Sequence, residues 1–337
     1  MSRSFDSANP TRPLSVGDIV SVALALYRAH LKQYLGIALR ATAWLLLPIL
    51  GLALIFGLAV LAASGQTNPT NLLGLLLLLI PAVIALFFYC GAKSQMNWAI
   101  ISWLAYHNLI QQPETTQVGR RLLAPRFWRF FWASLLVTLL LSVVNFGLSV
   151  VQQVALVSIS AILGGESVLT GLLLGTIALI TTAIYAWFTA RWALPELPIA
   201  VENITAANSV TRSWDLTKGQ AVRVLTALFI ALLVTLPLYV LAFLPLLLSL
   251  LATAASFSNG DTSAVIAVMA AFLLSMLLLL SMSLLVTPFW QTLKAVLYYD
   301  LRNRREGLDL KLHSRREATP EDTAPEDAGL EDAGFDP

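Results

Sequence analysis

The chain has 337 residues, of which 58% are hydrophobic and 12% charged, with a mean hydropathy of +0.77 and a formal net charge of +2. Soluble domains carry about 25% charged residues, so a chain with half that density cannot cover a water-facing surface of its own size. Lipid must be its solvent over much of its length, which excludes an ordinary soluble enzyme, and nothing in the composition points to a nucleic-acid partner. Helical spans need about 20 apolar residues each, and six of them with flanking helices use nearly the whole chain.

Residues 1–14 form a polar N-terminal segment without a short apolar stretch and small-residue cleavage site close behind it, so a cleaved signal peptide is not expected. The following LSVGDIVSVALALYRAHLKQYL reads as a helix, with Ser15 and Asp18 as a capping box. Asp18, Ser21, Ala25, Arg28 and Lys32 make a polar stripe, and Ile19, Val22, Ala23, Leu26, Tyr27 and Leu31 cover the remaining surface. That pattern predicts a helix lying in the membrane interface with its stripe toward water.

The long apolar runs then predict six spans: Ala41–Ala63, Leu72–Ala92, a third from Arg129 to about Val151 and on toward Leu163, Ser167–Ala190, a fifth from Arg223 to about Leu251, and Ala264–Thr287. Pro48 in the first and Pro237 and Pro245 in the fifth are expected to distort their helices. Turn-forming segments join the spans in pairs at Ser64–Asn71, Gly164–Ser167 and Ser256–Ser263, and none of them contains Lys or Arg. All 21 basic residues fall on the other side. Basic residues near span ends mark the cytoplasmic face, so both termini are expected in the cytoplasm of a bacterium, beneath its inner (plasma) membrane and its anionic headgroups.

Basic and aromatic segments precede the second and third pairs as well: PETTQVGRRLLAPRFWRFF and NITAANSVTRSWDLTKGQAVRVL, with Pro125 and Gly219 expected to break the chain before each span. The fold class is therefore all-α and polytopic, six transmembrane helices in three hairpins, each preceded by a cytoplasmic interfacial helix. The membrane domain covers residues 15–310, in repeats of approximately 15–110, 111–200 and 201–300. The remaining 311–337 turn from basic to acidic; EATPEDTAPEDAGLEDAGFDP has no basic residue and too little apolar surface for a core. Such a tail is expected to be disordered and available to a protein partner.

Each even span ends on a cation with tryptophan nearby: Lys93, Arg191 and Lys294. Two readings compete. Ordinary interfacial anchoring would place each cation separately among headgroups. Alternatively the three cations, with Glu196 paired to Arg191 across the Pro195 turn, converge on a polar site. The single cysteine, Cys90, sits in an apolar run and reads as a packing residue. His30, His107 and His313 are scattered, and no HExxH, CxxC, GxSxG or Walker A pattern occurs, so no catalytic residue, metal or cofactor is expected.

The opening LSVGDIVSVALALYRAHLKQYLGIAL, the middle ANSVTRSWDLTKGQAVRVL and the close TPFWQTLKAVLYYDLRNRREGLDL resemble the membrane domain of the glycerophosphoryl diester phosphodiesterase membrane-domain family. The resemblance covers nearly everything but the acidic tail, and its most specific pieces are YYDLRNRREGLDL and SWDLTKG. It implies a multi-helix membrane module. The catalytic barrel fused to some members has no counterpart here, so no phosphodiesterase activity is implied. The expected role is a non-enzymatic scaffold or modulator of envelope and lipid-related processes, with a small-molecule or lipid transporter as the alternative. A Leu77→Lys substitution should impair insertion, because a charge at mid-bilayer costs roughly 2.5–3.5 kcal/mol; membrane-fraction levels equal to wild type would remove this segment from the spans.

Overall fold

The described residues of this computed structural model, 14–63, 69–165, 167–257 and 262–307, form ten α-helices and one 3-10 turn, with no strand among them. In order these are α1 Val16–Ala29, α2 Leu31–Ala63, α3 Pro69–Leu109, α4 Thr116–Leu123, the 3-10 turn Ala124–Arg126, α5 Phe127–Leu163, α6 Val168–Arg191, α7 Glu196–Glu202, α8 Ala206–Thr217, α9 Ala221–Phe257 and α10 Thr262–Glu306. Six of them, α2, α3, α5, α6, α9 and α10, are long and apolar enough to cross a membrane. The chain is a multi-pass all-α membrane protein. The expected N-terminal segment, most of the first and third turns and the acidic tail lie outside the described residues.

Local signals set most helix ends. The Ser15 hydroxyl accepts the Asp18 amide at 3.2 Å while the Asp18 carboxylate accepts the Ser15 amide at 3.0 Å, completing the capping box. The Thr115, Ser167 and Thr205 hydroxyls accept the amide three residues on and so cap α4, α6 and α8, without the reciprocal bond of the box. Pro125 lies in the 3-10 turn before α5, and Gly219, at φ +77°, separates α8 from α9. The expected breaks are both present. Pro48, Pro81, Pro237, Pro245 and Pro288 lie inside helices that continue through them. Just past Pro245, the Leu246 amide donates to Ser275 Oγ on α10 at 3.1 Å, which satisfies a backbone group near the disturbed turn.

The helices cross two environments. Along the membrane layer, large side chains face outward: Leu77 and Leu78 on α3, Val143 and Phe146 on α5, Leu172 and Leu179 on α6, Leu251 on α9. Hydrocarbon tolerates this, since lipid tails are as apolar as leucine. Beyond single buried residues at Val83 on α3 and Ser275 on α10, dense burial sets in near Cys90 and Val286, close to where the sequence predicts those spans to end. The helices nevertheless continue. With 41 and 45 residues, α3 and α10 are about 60 and 70 Å long, against a hydrocarbon layer of about 30 Å.

The surplus turns form a juxtamembrane cap with α1, α4, α7 and α8. Its core gathers Ile19 and Ala23 of α1, Ile100 and Leu104 of α3, Leu197 and Ile199 of α7, Leu216 of α8, and Leu293 and Leu297 of α10. Both described chain ends lie in it: Arg304 Nη2 donates to the Leu14 carbonyl at 3.2 Å.

Two expectations about the first interfacial helix change here. The stripe from Asp18 to Lys32 is divided, because α1 stops at His30 and Lys32 belongs to α2. The apolar face of α1 turns toward protein, with Ile19, Val20 and Ala23 buried as the helix packs on α10 and α9. Amphipathicity specifies only that one face needs apolar surroundings, and a helix surface satisfies it as well as lipid does. α4 divides its surface between the two: Gly119 and Leu123 are buried, whereas Val118 and Leu122 are exposed.

Within the membrane layer α2 lies against α3, α9 against α10, and α10 also packs on α3 and α2; α5 pairs with α6, resting on α3 while α6 rests on α9. Gln152 Nε2 donates to Thr181 Oγ1 at 2.6 Å between α5 and α6, and Gln95 Nε2 to Ser134 Oγ at 3.2 Å between α3 and α5. A Cβ on Gly119 would stand 2.9 Å from the Trp103 ring, whereas one on Gly147 meets open space. Gly119→Leu should therefore lower the thermal unfolding midpoint in detergent through overpacking of about 1–3 kcal/mol, with Gly147→Leu close to wild type. Equal midpoints for the two variants would show that α4 does not press on α3.

Candidate functional site

The four residues of the expected polar site do not assemble. Glu196 opens α7 directly after Pro195, and its Oε1 lies 2.7 Å from Lys294 Nζ of α10. The expected Glu196–Arg191 pair is therefore replaced by a Glu196–Lys294 pair. Residues 192–195 separate α7 from α6, and α7 packs against α3, α8, α5 and α10.

Arg191 is only 4% exposed, and its guanidinium stacks 4.0 Å from the Trp214 ring and 5.5 Å from that of Trp187. Its carbonyl accepts Ser213 Oγ at 3.0 Å and Thr217 Oγ1 at 3.3 Å, while Ser213 Oγ also accepts the Leu194 amide at 3.2 Å. The SWDLTKG segment thus supplies the clamp that holds the end of α6. Lys93 sits 4.2 Å from the Phe127 ring and 5.5 Å from Tyr89, and has no carboxylate partner among the described residues.

The dense polar site lies farther along α10. Arg212 of α8 meets the Glu202 carboxylate in a fork, Nε to Oε2 and Nη2 to Oε1, each at 3.1 Å, and Nη2 also bonds Glu306. Glu306 is shared with Arg302, whose Nε is 2.9 Å away, one helical turn earlier. Arg302 Nη1 donates to the Tyr106 hydroxyl at 3.1 Å, and the Tyr298 hydroxyl donates to Glu202 Oε1 at 2.5 Å. One connected network therefore joins α3, α7, α8 and α10. Partial burial opposes the charge on Arg212, but the bonds and fields of Glu202 and Glu306 outweigh it and hold its pKa above the ordinary arginine value.

A second cluster centres on Asp300, 3% exposed, between Arg304 at 3.0 Å and Arg223 of α9 at 3.1 Å. The Arg223 contact is a close ion pair without the alignment of a directed hydrogen bond. Arg305 Nη2 donates to the Lys218 carbonyl at 2.6 Å, tying α10 to the turn after α8.

Sequence reasoning missed this site, although YYDLRNRRE was singled out. The intrahelical pairs Asp300–Arg304 and Arg302–Glu306, four residues apart, were available from spacing alone. The partners on α3, α7, α8 and α9 carried no local signal. Chemically, Glu196, Glu202, Asp300 and Glu306 each already hold a cation. Charge here joins helices.

Fold and site together define a multi-pass helical membrane protein with a juxtamembrane cap fastened by ion pairs. No family profile, curated protein or solved structure matches the chain. Arg212→Ala should leave Glu202 and Glu306 facing each other without their shared cation, and destabilise the cap by about 1–3 kcal/mol. The thermal midpoint in detergent should fall accordingly, with Arg212→Lys losing less. A midpoint equal to wild type in Arg212→Ala would show that the network does not hold the cap.

Proposed function

We propose that this protein is a non-catalytic scaffold or modulator of envelope and lipid-related processes in a bacterial inner membrane, with both termini cytoplasmic. The observation that carries this reading is the use made of the polar groups. Lys294 is neutralised by Glu196, Arg191 is stacked on Trp214, and Lys93 lies separately on Phe127, so the three cations do not line one polar site. A transporter would need polar groups converging on a path through the bilayer.

The orientation rests on the one-sided distribution of Lys and Arg, with Leu14 and Arg304 in contact at the same end. The resemblance of the chain's opening, middle and closing segments to a phosphodiesterase-associated membrane module is in keeping with an auxiliary role. Anionic headgroups are the proposed partners of the basic end, and the acidic tail is the proposed handle for another protein.

The test is labelling with a membrane-impermeant maleimide in a Cys90→Ser background. Single cysteines replacing Thr235 and Ser275, both buried among spans, should stay unlabelled from either side of sealed vesicles. Labelling of both from one side would reveal a water path into the membrane layer and install the transporter in place of the scaffold.

A further inference from the structure

The basic end of the molecule is uneven. On the α7–α10 side, Arg212, Arg223, Lys294, Arg302 and Arg304 all have carboxylates. On α2, α3 and α4, Arg40, Lys93 and Arg120 have none among the described residues. The consequence is sharpest at Arg120. Its Nε and Nη2 are enclosed and have no hydrogen-bond partner, and the charge acting on it is another cation, the exposed Arg40 of α2. Two enclosed donors without partners forfeit their hydration, and a like charge nearby adds to the cost.

This arrangement is held in place. Gln33 Nε2 donates to Thr116 Oγ1 at 2.9 Å, which ties the start of α4 to α2, and Gly119 presses against the Trp103 ring. The backbone that carries Arg120 is therefore fixed beside α2 and α3. Its depth is also marked. A row of rings runs from Trp44 through Tyr89 and Phe127 to Trp128, with successive centroids 5.9, 6.1 and 5.0 Å apart. Trp128 and Trp132 are exposed, as are Val118 and Leu122 of α4. Tryptophan and tyrosine collect at the headgroup level of a bilayer, and Arg40 precedes Trp44 by one helical turn.

We infer that the junction of α2 and α4 binds a phosphate-bearing anion, with the exposed Arg40 supplying one charge and Arg120, whose Nη1 lies outside the enclosed pair of nitrogens, the other. A phosphodiester offers two oxygens at the spacing of one guanidinium fork, and the aromatic row is suited to the glycerol and upper acyl region of a phospholipid. The same chemistry would accept free phosphate. The inference rests on the proposed membrane setting and names the lipid class that the basic end recognises.

Native mass spectrometry of the full-length protein released from detergent tests it, with phosphatidylglycerol or phosphatidylcholine added. Wild type should retain phosphatidylglycerol in preference to phosphatidylcholine. Arg120→Gln should weaken that retention about fivefold, as expected for one basic residue at an anionic surface. Arg40→Gln, at an exposed position that leaves packing intact, should weaken it in the same direction, and Arg121→Gln should leave it unchanged. A second arm adds inorganic phosphate alone and reads the thermal midpoint. Stabilisation dependent on Arg120, without selective lipid retention, would assign the site to a soluble phosphate. Retention and midpoints that are the same in wild type, Arg120→Gln and Arg40→Gln would overturn the inference. The cysteine-labelling result does not depend on this one, so failure of the anion site and failure of the scaffold reading are told apart.

Discussion

Hydrocarbon about 30 Å thick leaves roughly half of α3 and half of α10 with no lipid to face. Those turns carry apolar side chains past the boundary, where water would otherwise be their solvent. They must therefore find a protein core outside the membrane layer. The short helices α1, α4, α7 and α8 supply it. Two organising forces follow: solvation by lipid in the outer-facing leucines of the membrane layer, and the hydrophobic effect in the cap, where water is the competing solvent.

This division explains where the polar chemistry sits. In the membrane layer the interhelical bonds between α5 and its neighbours use uncharged groups, such as Gln152 to Thr181. In the cap, carboxylates and guanidinium groups join helices distant in sequence, with Glu202 and Glu306 sharing Arg212. An apolar interface alone would hold the cap together while permitting several registers. The fork of Arg212 on Glu202, the Tyr298 hydroxyl on the same carboxylate and the clamp of Ser213 and Thr217 on the Arg191 carbonyl each require one relative placement.

Charge is also spread unevenly through the cap. Where acidic residues are present, arginine is consumed in structure. At the α2–α4 junction, Arg120 instead has two enclosed donors without a partner among the described residues. A single formal charge for the whole chain conceals this contrast, which depends on which helix each carboxylate occupies.

The sequence by itself determined the periodic and punctuated features: six apolar runs, the Ser15–Asp18 capping box, and the breaks at Pro125 and Gly219. These depend on residues within a turn or two of one another, or on the minimum length that crosses hydrocarbon. It also identified YYDLRNRRE and SWDLTKG as unusual without indicating that both fasten the cap. Only the tertiary structure decided that Glu196 meets Lys294 instead of Arg191, that α1 turns its apolar face to α10, and that α3 and α10 outrun the bilayer into a second core. The physical reason is range. An ion pair between residues 196 and 294 leaves no periodicity to read, and an apolar helix face is written identically whether lipid or protein covers it.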